Sequence, residues 1–313
     1  MSVARPIFWP AISPLALHLA PRMQAYMRDD GARGFKAWLY KTFLDPYTNV
    51  SAARLVATSV FASRFEGKLS NVVQRAVFHF GVFEPNLTAW IRAHLKPGDV
   101  FVDVGANVGY FSLLASRMVG KDGRVIALEP APSTFAVLEH NILLNKAENV
   151  RAVRVAAYDR IATLPMYSVA GEEAAGGASL VHVVGPQEAE VSAAPLGDVL
   201  TSEELRRARL IKIDVEGAEE SVVAGLLPLL DQLRDDAELV IELLPTTFAA
   251  VVECFAKRGF YRYLLKNPMT PLDGHAGPAG VATRIPNHAR EPATYDMHGV
   301  AYVIFSRRDA ESI

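Results

Sequence analysis

The sequence predicts an α/β fold, a doubly wound and mostly parallel seven-stranded sheet preceded by an N-terminal helical extension, and three observations carry that expectation. From Val100 onward, apolar runs of about five residues alternate with helical stretches of about twelve, the pattern of βαβ units whose strands are covered on both faces. A glycine-rich turn, DVGANVGYF from Asp103 to Phe111, sits where the first of these runs ends and a helix begins. Residues 1 to 70 instead mix apolar and basic residues with Phe8, Trp9, Trp38, Tyr40 and Phe43, which suits short helices better than strands.

Taken in order, residues 1–80 form the extension and residues 81–313 the main domain. The opening stretch from Pro6 to Ala20 is apolar, but Pro10 and Pro14 interrupt it and it is too short to span a bilayer. With no convincing cleavage pattern, the chain is expected to be cytoplasmic. Nine Lys or Arg against four Asp or Glu between Met1 and Ser70 make this end locally basic, which suits a helix on an anionic lipid surface; plain packing is the alternative. Val72 to Leu95 keeps helical spacing until Pro97 and Gly98 end it.

The strands are then VFVDVG from Val100, RVIALEP, VRAVRVAAYD, LIKID at 210–214, LVIEL at 239–243, YRYLL at 261–265 and VAYVIFS at 300–306. A loop at 266–298, rich in Pro, Gly and His, is inserted before the last strand and reads as disordered or as a lid.

Bulk properties exclude some functions. A net charge of −2 argues against a nucleic-acid binder, because phosphate neutralisation needs a concentrated basic surface. Cys254, the single cysteine, excludes an internal disulfide and a cysteine-based zinc site. No metal site is expected: His275, His288 and His298 lack ligand spacing, and two neighbouring acids, Asp214 and Glu216, are too few for Mg²⁺.

The turn after the first strand carries the chemistry. Gly105 and Gly109, with Ala106 and Asn107 between them, let the chain turn sharply and leave bare backbone at a helix N-terminus for a nucleotide. A pyrophosphate wants glycine in the middle of GxGxxG, and that position is Asn107. Asp103 places a negative charge there, which suits a cationic ligand such as S-adenosylmethionine (SAM). Glu129, followed by Pro130, closes the next strand where a carboxylate can accept both ribose hydroxyls, a role that serves NAD and SAM alike. Tyr158 and Asp159 follow the third strand and can flank and hydrogen-bond an adenine, although Asp159 equally suits a turn or cap.

Together these residues resemble the FkbM family of SAM-dependent methyltransferases. The similarity runs from about Gly81 to Ala224, through GVFEPNL, KPGDVFVDVGANVGYFSLLA, GRVIALEPAPSTFAVLEHNILLN, AAYD, GGASL and IKIDVEGAEESVVAG. The resemblance implies a Rossmann-like class I methyltransferase fold with strand order 3-2-1-4-5-7-6. It also implies SAM as cofactor and methylation of a hydroxyl on a sugar, glycolipid or secondary metabolite. It places Glu84 near the methionine end of SAM, where a helix-capping role is the alternative. The sequence departs from the family at PLGDVL, Pro195 to Leu200, where Gly197 replaces an acid and only Asp198 carries over.

Methylating a hydroxyl requires a base within about 3 Å of its oxygen. In IKIDVEG, Lys212 and Asp214 share one face of a strand, and Asp214 and Glu216 lie at its carboxyl end, where α/β ligands bind. Asp214 and Glu216 are the first candidates, followed by Glu242 on the fifth strand and His182 in GGASLVH, read as a loop over the site. An ion pair with Lys212 is the structural alternative for the acids. Gly217 allows close backbone approach, and Glu219 reads as a helix-start residue. The competing functions are a nicotinamide oxidoreductase and a non-catalytic SAM-binding module.

Overall fold

Apolar runs as continuous as VFVDV and LVIEL must be covered on both faces, and in the computed structural model they form the centre of one sheet. The structure describes residues 22–28, 31–48, 54–168, 178–179, 187–268, 270–272, 280–286 and 300–313. Helix α1 covers residues 22–28, and α2 (Arg33–Leu39) runs through a π-helical turn, Tyr40–Leu44, into α3 (Asp45–Thr48). Strands β1 (Arg54–Thr58) and β2 (Arg64–Lys68) pair as an antiparallel hairpin. Helices α4 (Val72–Phe80) and α5 (Pro85–His94) lead into β3 (Val100–Val104), α6 (Tyr110–Val119), β4 (Arg124–Leu128), α7 (Pro132–Leu144) and β5 (Val150–Val153).

A second sheet follows from β6 (Ala156–Ala157), β7 (Ala162–Ser168), β8 (Ala178–Ser179) and β9 (Gln187–Ala194). Short helices α8 (Leu196–Val199) and α9 (Ser202–Arg207) precede β10 (Ala208–Ile213), α10 (Glu219–Leu226), β11 (Glu238–Leu243), α11 (Pro245–Ala256) and β12 (Tyr261–Leu265). Two last strands, β13 (Thr283–Arg284) and β14 (Ala301–Ser306), complete the main sheet.

The main sheet has the order β13-β12-β14-β11-β10-β3-β4-β5, with β14 antiparallel to both its neighbours and β3, β4, β5, β10 and β11 parallel. Numbered as the seven strands expected from the sequence, this is 3-2-1-4-5-7-6, a class I methyltransferase fold, with β13 added at one edge. Alternation splits the core between the two faces. Val102, Ile211 and Leu239 pack with Val222 of α10 and Phe248 of α11. Phe101, Leu210 and Val240 pack with Val77 of α4, Trp90 of α5 and Leu113 of α6.

Four expectations are corrected. Residues 54–68 are not helical: Ala57 and Phe65 turn inward while Arg54, Arg64 and Lys68 face solvent, an alternation obscured in the sequence by the small residues around the turn. Position 81 is not a break in the core, because Phe65, Val73 and Val77 share one cluster with Phe101, Tyr110 and Leu114. The run VRAVRVAAYD is two strands, since β5 stays in the main sheet while β6 joins β9. The GGASLVH segment holds a short strand, β8, paired with β7.

Of the 266–298 loop, the described parts bind the body of the protein. Asn86 Nδ2 donates to the Lys266 carbonyl at 2.6 Å and Leu87 N–H to Asn267 Oδ1 at 3.0 Å, fastening the first turn of α5. Ala282 and Ile313 exchange backbone hydrogen bonds. His275, His288 and His298 lie outside the described residues.

Candidate active site

At the carboxyl ends of parallel strands the chain leaves the sheet, so side chains from successive strand ends converge on one crevice. Here that crevice is lined by Gly105, Ala106 and Asn107 after β3, Glu129 and Pro130 after β4, and Asp214 and Glu216 after β10. Lys212 of β10 and Glu242 of β11 also reach it, as do Glu84 from the start of α5 and Tyr302 from β14. Met166 of β7 and Ala156 and Ala157 of β6 close one wall, and Val72 and Val73 of α4 another. Among the described residues, five carboxylates therefore line the crevice against one cation. Such a pocket repels a pyrophosphate and favours a positively charged ligand.

Three of these residues, Glu84 (φ 47°), Asn107 (φ 49°) and Glu216 (φ 54°), hold left-handed backbone, which costs energy for residues with a Cβ and clusters at functional sites. Glu84 occupies the position before α5, yet its side chain makes no capping hydrogen bond. Its Oε1 instead accepts from Tyr302 at 2.5 Å, and its Oε2 has no hydrogen-bond partner among the described residues. Burial, reinforced by the charge of Asp214, pushes the Glu84 carboxyl up to about 7.

Glu129 is held as a ribose acceptor would need to be. Asn107 N–H donates to one of its oxygens and Ala131 N–H to the other, both at 2.9 Å, which orients the carboxylate and leaves a lone pair on each oxygen. Burial pushes this carboxyl up to about 7 as well.

Lys212, 2% exposed, binds Asp214 at 2.7 Å and lies 5.2 Å from the centre of the Phe111 ring. Burial pulls its ammonium down, but Asp214, Asp103 and Glu84 together hold it above its ordinary value. Glu242 is raised well above the usual carboxylate range by burial and by the facing charges of Asp214, Glu216 and Glu84.

Several expected residues lie elsewhere. Asp103 is fully buried in β3, behind the crevice wall, where it accepts from Ser112 Oγ at 2.6 Å while its Oδ1 has no partner among the described residues. Gly105 stays in the crevice lining, and a Cβ there would meet the Asp214 carbonyl at 1.8 Å, so this glycine also permits the close approach of the chain after β3 to that after β10. Gly109 turns the chain into α6 beneath Leu138, outside the crevice lining.

Tyr158 and Asp159 are not among the lining residues. Asp159 pairs with Arg160 at 2.8 Å, whose guanidinium lies over the Tyr158 ring. Asp198 is exposed on α8, and the neighbouring Gly197 abuts Leu229, which leaves little room for a side chain there. Glu219 starts α10 and accepts from Gly217 N–H at 3.0 Å. His182 lies outside the described residues. Tyr302 was not read from the sequence, where it is one aromatic in the apolar run VAYVIFS; the signal is a hydroxyl on a strand with every residue buried.

The cofactor implied by this fold can be tested against these side chains. An adenosyl ribose fits Glu129, whose two oxygens are aligned by backbone donors, and a cation fits the excess of carboxylates with the unpartnered Glu84 Oε2. The strand order and the glycine turn define a class I methyltransferase domain. The model of the methyltransferase FkbM domain matches residues 103–261, just over half of the chain, and the chain belongs to this family, whose cofactor is SAM.

The chain is 32% identical over 163 residues to methyltransferase sdnD of Sordaria araneosa, across 43% of this chain and 62% of that protein. It is 31% identical over 159 residues to the 31-O-demethyl-FK506 methyltransferase FkbM of Streptomyces tacrolimicus, across 42% of this chain and 61% of that one. It thus spans about three fifths of the length of these relatives. Among solved structures it is similar to methyltransferase FkbM from Methylobacillus flagellatus KT, with a TM-score of 0.40 and 13% identity over 94% of this chain and 60% of that chain.

Proposed function

We propose that this protein is a SAM-dependent O-methyltransferase whose acceptor is a hydroxyl on a small molecule such as a sugar, glycolipid or secondary metabolite. The observation that carries the reading is the crevice with five carboxylates around one lysine, at the carboxyl ends of the parallel strands where ligands of α/β folds bind. SAM supplies an electrophilic methyl group on a sulfonium. The chain's own residues then have three tasks. Glu129 holds the ribose. The acidic wall receives the positive charge. A carboxylate takes the proton from the acceptor hydroxyl, because a neutral alcohol is a weak nucleophile.

Asp214 fits the last role. It lines the crevice and pairs with Lys212 at 2.7 Å, and Glu242 faces it on the next strand. Glu216 sits exposed at the same edge. O-methylation also agrees with a relative named for methylating 31-O-demethyl-FK506. The test is an untargeted screen of cell extracts with labelled SAM, with Asp214→Asn as control. A labelled small molecule, base-stable as an ether, that depends on Asp214 supports the reading; label confined to protein or nucleic acid refutes it.

A second feature concerns where the acceptor is met. Phe35, Trp38 and Phe43 are 55%, 52% and 46% exposed and cluster with ring centroids 5.5 and 5.3 Å apart, with Arg33 and Lys41 in the same segment. We propose that this face rests on an anionic lipid surface, the placement favoured by aromatics beside basic residues. Among the described residues no helix is long and apolar enough to cross a membrane. Co-sedimentation of the full chain with phosphatidylserine vesicles, lost when Phe35, Trp38 and Phe43 are changed to serine, is the expected result; equal recovery in the supernatant for both contradicts it.

A further inference from the structure

We propose that the pocket stores one exchangeable proton on the chain Glu84–Tyr302–Glu242 and releases it when a cation enters. This rests on the reading of the crevice as the SAM site. Tyr302 carries one hydroxyl hydrogen, yet its oxygen lies 2.5 Å from Glu84 Oε1 and 2.9 Å from Glu242 Oε1. One hydrogen can serve only one of these contacts. The other is a hydrogen bond only when a second hydrogen resides on a carboxyl group.

The arrangement is built into the fold. The β11–β14 register sets Glu242 directly opposite Tyr302, and the backbone before α5 brings in Glu84 from far along the chain. Tyr302 and Glu84 are 3% and 4% exposed, so water does not relieve the contact between them, and Glu242 is half-buried at the other end of the chain.

The surroundings decide where the proton sits. The charged groups facing this chain are Lys212 on β10 and Asp214 and Glu216 after it, with Asp103 on β3 beside Lys212; Tyr110 on α6 and Asn267 after β12 complete the neighbourhood. Lys212 is the one cation among them, and Asp214 already binds it. Glu242 faces Asp214, Glu216 and Glu84, so it is the carboxyl that gains most by being neutral. Tyr302 then donates to Glu84 Oε1, in keeping with the shorter distance, and Glu242 donates its proton to the Tyr302 oxygen. An arriving cation takes over the neutralising role, Glu242 ionises, and its proton passes to solvent.

The test is calorimetric titration of the full chain with SAM between about pH 5.5 and 7, where the amino group of SAM stays protonated. Buffers of different ionisation enthalpy count the protons. Release of about one proton per SAM is expected, with affinity rising up to about tenfold per pH unit. Glu242→Gln keeps a donor to Tyr302 and therefore the local packing; it should bind SAM with no proton release and a flat pH dependence. Tyr302→Phe should keep binding SAM but shift the pH dependence, since Glu84 and Glu242 lose their shared donor.

Absence of proton release in the natural protein overturns the proposal. So does release that persists unchanged in Glu242→Gln, which would place the proton on Glu129. Failure of SAM to bind at any of these pH values overturns the reading of the site itself, and this proposal with it.

Discussion

Gly105→Ala tests how the crevice is built. The added methyl would sit 1.8 Å from the Asp214 carbonyl oxygen, and even reaching the 3.0 Å below which real Cβ contacts essentially never fall requires the two backbones to part by about 1.2 Å. That movement pulls on the Asp214 N–H to Val104 carbonyl bond at 3.1 Å, which ties β10 to β3 beyond the ladder. Losing it costs about 1 kcal/mol. Residue 105 also has φ +80°, where a Cβ adds about 1–2 kcal/mol. With the packing disturbed by the shift, the expected destabilisation is about 3–5 kcal/mol, a large share of the 5–15 kcal/mol typical of a domain. Urea unfolding followed by circular dichroism measures it. A variant within about 1 kcal/mol of the natural protein would show that the strand ends are not in the contact described here.

Other outcomes follow from the same geometry. Asp214→Asn keeps the shape beside Lys212 and removes the charge; turnover on the acceptor should fall about 10²- to 10⁴-fold with little change in SAM affinity, measured by steady-state kinetics and calorimetry, and near-normal turnover would move the base to Glu216 or Glu242. Stability of the ligand-free protein should fall as pH rises. Glu84 and Glu129, both pushed up to about 7 by burial, stay protonated in the fold where the unfolded chain ionises near 4.5, so the loss spans about pH 4.5 to 7. Its size is on the order of 3 kcal/mol per group. Urea titrations at about pH 5 and 7.5 report it, and greater stability at the higher pH would contradict the burial of these carboxyls.

The parallel strands were legible because each is buried on both faces and so leaves an uninterrupted apolar run, as in Val100–Val104 and Glu238–Leu243. The glycine turn and Glu129 were legible because the chain's exit from a parallel strand is stereotyped. The hairpin at Arg54–Lys68 was not, since its inward positions are occupied by Ala57, Phe65 and Gly67 and its outward ones by arginines that also suit helices. The β6–β9 sheet was hidden for a related reason: its small core rests on Ala131, Ala156, Met166, Val191 and Ala193, too few large residues to mark a period.

Contacts between strands distant in sequence were beyond reach from spacing alone. The partner of Glu84 is Tyr302, on β14, and nothing local to either residue announces the other. Likewise Asp103, an acid in a motif, reads as a ligand contact, but the packing of β3 between β4 and β10 buries it completely.

The most direct test of the central claim is calorimetric titration of the protein and of Glu129→Ala with SAM and with NAD at neutral pH. Glu129 aligns on Asn107 N–H and Ala131 N–H, so its loss removes the ribose acceptor and leaves two backbone donors unpaired. The expected result is binding of SAM by the natural protein, none of NAD, and loss of most SAM affinity in a still-folded Glu129→Ala. Binding of NAD in preference to SAM, or SAM affinity unchanged in Glu129→Ala, would contradict the account.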